Sequence, residues 1–441
     1  MFAGANGRAG ARRVFVAVAA GTAIEWYDFF IYGLAAGLVF GPLFFPTFDP
    51  LVGKLAAFST FAVGFAARPV AALVFGHFGD KIGRKRLLIV TMLLMGLSTA
   101  AIGLLPPYHT LGAAAPILLV TLRLLQGFGV GGETGGACVT AVEHATRGRL
   151  GICGSSSQVG IPAGLLLGNI AFLASVGLSH EQFLAWGWRI PFLLSSVLVL
   201  VALYIRLQIS ETPTFRSLEK ARATVAVPIF TLLRTQPRKL VLATFSIVGT
   251  SAYFYVLLTF LPGYITASGL SKASVLTGQL IGAAVEIGAI LYFAGLSDRI
   301  GRRNLVLAGI IAAGVWTPVM FWFAGLGSTI LIVAGYVVAM VVHAISTAVH
   351  TTFVAELFPA PVRYSGMGFT FQLGIMIGGA AAPVVASALL VATHQTVLIA
   401  VFVAALCALS LAATVLIRPK DIVQDPAPAA EGQVAIEPGV A

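Results

Sequence analysis

Read for apolar and polar positions alone, the chain is a succession of long apolar runs broken by short polar stretches. The runs lie near residues 14–38, 53–77, 86–106, 114–140, 152–176, 188–207, 239–264, 274–296, 304–326, 329–355, 366–392 and 395–417. Each matches the ~20 residues that an α-helix needs to cross the hydrocarbon core of a bilayer. Hydrocarbon offers a backbone amide no partner, so only helices and closed barrels span it. Period-two alternation is absent, which argues against a barrel. The pattern predicts an all-α membrane protein of twelve transmembrane helices. The first run follows Arg8, Arg12 and Arg13, as the apolar core of a signal peptide would. It is longer than such a core and lacks a small-residue cleavage site, so it reads as a retained helix.

The pattern also repeats in halves. DKIGRK (Asp80 to Lys85) follows the second run, and DRIGRR (Asp298 to Arg303) follows the eighth, 218 positions later. Glu143 leads into the basic loop with Arg147 and Arg149 after the fourth run, and Glu356, 213 positions on, leads into ELFPAPVRYSG, with Arg363, after the tenth. Two six-helix bundles of the same orientation follow, over residues 14–210 and 238–418. Residues 211–237, with Glu211, Arg216, Glu219, Lys220, Arg222 and Arg234, read as a polar linker with room for a short surface helix. Residues 1–13 and 419–441 are tails; the second, rich in Pro, Ala and Glu, reads as disordered.

Composition sharpens this picture. Hydrophobic residues make up 58% of the chain and charged ones 10%, against roughly a quarter charged in an ordinary globular protein. A net charge of +11 could suit nucleic acid, but 22 of the 27 Lys and Arg fall in the tails, in the even-numbered loops or at the run ends that adjoin those loops. That asymmetry places both termini in the cytoplasm and leaves no call for a nucleic-acid partner. Cys138, Cys153 and Cys407 lie in or beside apolar runs without metal-ligand spacing, as small core residues do.

Against this background the stranded ionisable groups stand out. In GTAIEWYDFFIYG, Glu25 and Asp28 sit midway through the first helix, three apart on one face. A carboxylate at bilayer depth is unfavourable by ~2.5–3.5 kcal/mol, so it must face a cavity or a partner. Either it carries a proton or a buried cation holds it ionised, and Arg123 in the fourth helix is the natural cation. Glu133 follows Gly131 and Gly132, which allow the close helix approach that would bury it. Glu286 is the one acid midway along a helix of the second half. These five are the candidates for proton coupling. Arg68 stands before Pro69 in the second helix and Arg189 near the outer edge of the sixth; a guanidinium in a dry cavity matches a carboxylate through two parallel hydrogen bonds. Gln158 and Gln372, 214 positions apart at matching depth, could donate to substrate oxygens. His343 and His350, seven apart on one face, could relay protons, but satisfied core histidines are the better reading and no third metal ligand is spaced with them.

Several motifs together resemble the major facilitator superfamily. GHFGDKIGRKR (Gly76 to Arg86) fits its G-x-x-x-D-x-x-G-R-K/R loop. EWYDF, RPVAALVFGHFGDKIGRK, RLLQGFGVGGE, GWRIPF and AELFPAPVRYSG resemble the metabolite:proton symporters within it, over residues 13 to 420. The resemblance implies the major facilitator fold and a cytoplasmic latch of ion pairs. That latch would use Gly76, Asp80, Gly83, Arg84, Glu143, Asp298, Gly301, Arg302, Glu356 and Arg363. From the residues alone, Asp80 would cap the next helix or meet a nearby cation, and Arg84 to Arg86 would stay in water. The resemblance further implies an anion held by Arg68 and Arg189, and a YF-Y stretch, Tyr253 and Tyr255, on the cavity.

The function expected is secondary transport: proton-coupled uptake of a small organic acid, a carboxylate, by a monomer in the bacterial cytoplasmic membrane. No cofactor beyond the proton gradient is needed. A zwitterion such as proline or betaine, or export by the same fold, are the alternatives. A membrane enzyme would cluster His, Asp or Ser at one membrane face, whereas here the polar residues are spread singly over many helices.

Overall fold

The computed structural model of the chain describes residues 3–145, 149–176, 178–208, 211–220 and 228–423. They are helical nearly throughout, with no strand among them. Among the described residues, twelve helices are long and apolar enough to cross a membrane. Spans 1–6 are Gly10–Phe44, Ala62–Lys81, Arg84–Leu104, Ala114–Glu143, Ser156–Leu173 and Phe183–Leu207. Spans 7–12 are Pro237–Ala267, Ala273–Ile300, Arg302–Gly325, Thr329–Ala355, Ala360–Thr393 and Thr396–Leu416. Their outward faces carry large exposed apolar side chains, among them Leu97, Leu200, Val315 and Val384. On a soluble protein such patches would be a liability; on this one they are the face that lipid wets.

Spans 1–6 pack chiefly on one another, as do spans 7–12, and span 11 crosses to spans 2 and 4 while span 8 meets span 5. Spans 1 and 7, equivalent in the two halves, each carry a π-turn at the end remote from the chain termini, Ala36–Phe40 and Val256–Phe260. Such turns widen a helix locally and re-aim its side chains. Between spans 2 and 3 the chain reverses at Gly83, φ 109°, and between spans 8 and 9 at Gly301, φ 90°. A side chain resists that backbone region, so the repeated glycines are what the turn requires.

The linker forms two short helices, Pro213–Lys220 and Pro228–Thr235, where one surface helix was expected; residues 221–227 lie outside the described residues. After span 12, Asp421 pairs with Arg238 at 3.3 Å. The expected disorder of the C-terminal tail falls, beyond Val423, outside the described residues.

Candidate functional site

The bundles meet at the end where span 1 begins and span 12 ends, here the tail end. Asp80 accepts hydrogen bonds there from the Tyr364 amide (3.3 Å), the Ser365 amide (3.1 Å) and the Ser365 hydroxyl (2.8 Å). Those amides open the helix Arg363–Ile375, whose free N–H groups and dipole favour an anion. Asp80 therefore caps a helix of the opposite bundle, not the one that follows it in sequence. Its repeat, Asp298, also reaches across, accepting from the Gly151 amide at 3.1 Å while pairing with Arg302 at 2.9 Å. Arg302 extends to Glu356 at 3.1 Å. Burial lifts the Glu356 carboxyl above its ordinary range, opposed by Arg302.

Arg84 corrects an expectation. It does not stay in water beside Lys85 and Arg86 but is fully buried. It bonds Glu143 (3.2 Å) and the Ala360 carbonyl (3.2 Å), and lies 5.1 Å from the Phe215 ring centre. Glu143 also receives Arg363 at 3.1 Å, so one carboxylate joins an arginine from each half. The contact is close enough that a β-carbon on Gly76 would stand 2.9 Å from Ser365 Cα. Here the glycine is needed for approach.

Beyond this seal lies a cavity of about 80 Å³. Spans 1, 2, 4 and 5 wall it on one side and spans 7, 10 and 11 on the other. Trp26, Phe29 and Phe65 of the first half meet Phe254 and Tyr255 of the second and cover its far side. Arg68 lines the cavity, 5% exposed, with its guanidinium 4.2 Å from the Phe65 ring centre and its Nε without an acceptor. Glu25 and Trp26 share the same wall. Two side-chain amides cross between the bundles in matching fashion. Gln158 donates to Thr351 Oγ1 at 2.8 Å, and Gln372 donates to Thr134 Oγ1 at 2.7 Å.

The acids of span 1 part company. Glu25 faces the cavity, whereas Asp28 is turned into its own bundle and accepts from Ser195 Oγ (2.6 Å) and Thr99 Oγ1 (2.7 Å). Three residues leave two side chains about 60° apart on a helix, enough to send one inward and one sideways. Arg123 is connected to Asp28 through a relay: it donates to Gln126 Oε1, whose amide donates to Thr99 at 2.8 Å. Its guanidinium also lies 3.9 Å from the Tyr32 ring centre.

Glu133 is paired with Arg206, near the end of span 6, a residue that the sequence analysis did not single out. Arg206 also donates to the Leu88 carbonyl at 2.9 Å. No spacing signal marked that residue as buried.

Three further expectations are corrected. Arg189 does not reach the cavity; it closes the end of span 3 by donating to the carbonyls of Gly103 (2.7 Å) and Leu105 (2.9 Å). Tyr253 donates to the Ala339 carbonyl at 2.9 Å inside the second bundle, so of the two tyrosines only Tyr255 belongs to the aromatic cover. Glu286 holds His343 Nδ1 at 2.6 Å, and His343 Nε2 meets Thr347 Oγ1 at 2.9 Å. His343 is thus satisfied on both nitrogens, but His350 is not: its Nε2 is buried without a partner, and the residue lines the cavity.

Comparison with known proteins agrees with this architecture. The sequence model described as Major Facilitator Superfamily matches residues 21–371 and, again, 287–439. The chain is 39% identical over 414 residues to the inner membrane metabolite transport protein YhjE of Escherichia coli (strain K12), covering 92% of this chain and 93% of that one. It is 39% identical over 386 residues to the shikimate transporter of the same organism (86% and 88% covered), and 35% over 381 residues to its proline/betaine transporter (83% and 76%). Among solved structures, the proton:xylose symporter XylE bound to 6-bromo-6-deoxy-D-glucose aligns with a TM-score of 0.77 at 15% identity, over 92% of this chain and 95% of that one. At that identity the likeness concerns the fold.

Proposed function

The chain belongs to the Major Facilitator Superfamily as a multi-pass metabolite transporter, and from that premise we propose that it takes up a small organic acid together with protons. The observation that carries the reading is Arg68: a buried guanidinium on a cavity between two bundles, with an unmatched N–H and aromatic faces holding its plane. An anion that binds there gains a charge-assisted pair in a dry site. Bound substrate touches both bundles, so it favours the closed arrangement by its differential affinity, and rocking of the bundles exposes the site to each side in turn.

On this reading the tail end is cytoplasmic, the membrane is the bacterial cytoplasmic membrane, and each monomer holds a complete pathway. The contacts of Asp80, Glu143 and Asp298 then form the inner seal, and the aromatic cluster forms the outer cover. Glu25, beside Arg68, is placed to sense the substrate's charge; Asp28 is the proton-coupling carboxylate. The relationship to the shikimate transporter supports an acid. A second reading, a zwitterion such as proline or betaine, is favoured by Glu25 and Trp26 on the same wall, a setting that suits a cationic group.

Purified protein in liposomes tests the proposal. An inward proton gradient should drive uptake of small carboxylates above that of betaines, and uptake of betaine alone would move the assignment to the second reading.

The seal carries its own prediction. Hydrogen bonds to a charged group contribute about 1.5–3 kcal/mol, so Asp80→Asn should raise the inward-open population by about tenfold. Cys138 lines the cavity and serves as the reporter. In vesicles whose tail end faces an impermeant maleimide, it should be modified correspondingly faster; an unchanged rate would remove Asp80 from the seal.

A further inference from the structure

We propose that the coupling proton leaves by a route of its own inside the first bundle, from Glu25 to Glu133 and on to Glu211 at the tail end, with Arg206 as the fixed counter-charge. The proposal rests on the proton-coupled reading above and adds the path by which the proton reaches the tail side.

The route follows one face of span 1. Ala17 and Val18 line a second cavity, of about 20 Å³, toward the tail end. Gly21, one turn further, lies against the pair of Glu133 and Arg206: a β-carbon there would stand 2.9 Å from Arg206 Cζ and 3.0 Å from Glu133 Oε1. Glu25, a turn beyond that, lines the main cavity. Positions four apart on a helix have β-carbons about 5–6 Å from each other, which puts Glu133 Oε1 within about 9 Å of the Glu25 β-carbon. The Glu25 side chain and one water span that gap. Span 4 runs alongside. Thr134, next to Glu133, lines the main cavity, and Thr140, seven residues on from Glu133 along the same face, lines the second.

The second cavity belongs to the first half and the linker. Lys85, Leu88, Arg206, Glu211 and Thr212 complete its wall, and it is polar and large enough for a water. Its rim residues Lys85 and Glu211 are only half-buried. A proton that reaches it has bypassed the contacts of Asp80 and Asp298 across the seal.

The ion pair on this route is incomplete. Arg206 bonds both Glu133 and the Leu88 carbonyl, but Glu133 is fully buried and its Oε2 has no hydrogen-bond partner among the described residues. A buried pair kept for structure needs its remaining lone pairs satisfied; a bare carboxylate oxygen is a seat for a proton. The other ionisable groups around Glu25 and Glu133 are Arg68, Asp28, Cys138, Tyr255 and Tyr364.

Charge orders the steps. While the anion occupies Arg68, Glu25 lacks its neighbouring cation and holds the proton. Once the anion has left, Arg68 faces Glu25 again, and the Glu25 carboxyl gives its proton to the Glu133 carboxylate. Arg206 stays charged throughout. Glu133 passes the proton to water in the second cavity and returns to its pair with Arg206. Glu211 takes the proton from that water and yields it to the tail side.

The test uses the full-length protein in liposomes, with labelled shikimate, succinate and lactate as probes; the acid that the parent accumulates best under an inward proton gradient is carried to the variants. Counterflow exchanges labelled for unlabelled acid without releasing the proton, so it bypasses the route, whereas net uptake uses it. A positioned proton carrier is worth about 10²–10⁴-fold in its step, so Glu133→Gln should slow net uptake at least about tenfold. Its counterflow should stay within about threefold of the parent's. Glu133→Asp, which keeps a carboxyl, should bring net uptake back to within about threefold of the parent; a purely structural role would instead favour the isosteric Gln over the shorter Asp. Parent-like net uptake in Glu133→Gln, or net uptake better in Gln than in Asp, would overturn the route and leave the organic-acid reading in place. If Glu133→Gln loses counterflow as well, Glu211→Gln at the half-exposed rim decides. Net uptake slowed by about threefold or more with counterflow kept supports the route, and parent-like net uptake overturns it. Failure of the parent to accumulate any of the three acids would overturn the proton-coupled acid reading together with the route.

Discussion

Replacing Arg68 by Lys should weaken substrate binding on the order of 100-fold, although the charge is kept. Arg68 is held by its plane: the guanidinium lies 4.2 Å from the Phe65 ring centre and 5.5 Å from that of Phe29. A flat, delocalised cation stacks in such a slot, and a compact ammonium does not. Lysine also loses the fork that meets both oxygens of a carboxylate. Truncating one partner of a buried charged pair is worth about 2–5 kcal/mol, and 100-fold corresponds to the lower part of that range. Titration of the purified variant with the acid that the parent transports measures the loss. The aromatic slot predicts that Arg68→Lys will be nearly as poor as Arg68→Ala. Wild-type affinity in Arg68→Lys would mean that Arg68 serves the packing of span 2 and not the ligand.

How far the sequence led differs between fold and site. The twelve spans were legible because the bilayer imposes one length and one composition on every crossing, and the chain obeys from end to end. Glu25, Arg68, Gln158 and Gln372 could be singled out for a related reason: a polar group at mid-depth has few places to go, and the cavity is one of them. The same logic failed where burial has another purpose. Arg84 and Arg206 lie near span ends, where sequence alone assigns them to water, yet each is buried on a carboxylate and a backbone carbonyl. Arg189 fits the same motif-based expectation as Arg68 but is used up on two carbonyls at the end of span 3. Partners of that kind are set by how helices meet, and a one-dimensional pattern carries no record of it. Asp80 shows this most clearly, since its partners lie 284 and 285 positions away in the other bundle.

Asp28→Asn should uncouple transport from the proton gradient while leaving exchange intact. Asp28 is 1% exposed and its two oxygens each accept from a hydroxyl, Ser195 and Thr99. As a carboxylate it can only accept; once protonated it must donate to one of those hydroxyls, which then turns toward another acceptor. Thr99 is already the acceptor of Gln126, which in turn holds Arg123. Proton binding at Asp28 therefore rearranges a chain of hydrogen bonds that ties spans 1, 3, 4 and 6 together, and that chain can register protonation without contact with the substrate. Asparagine has nearly the shape of the neutral acid and holds the chain in its protonated arrangement. One proton carried with one anion lets a pH difference of one unit support about tenfold accumulation. In liposomes Asp28→Asn should bring that ratio down to one, with counterflow between labelled and unlabelled substrate preserved within a few fold. Glu25→Gln is the companion measurement. If Asp28→Asn accumulates substrate as the parent does and Glu25→Gln does not, the coupling proton resides on the cavity wall and Asp28 is a structural acceptor for its two hydroxyls.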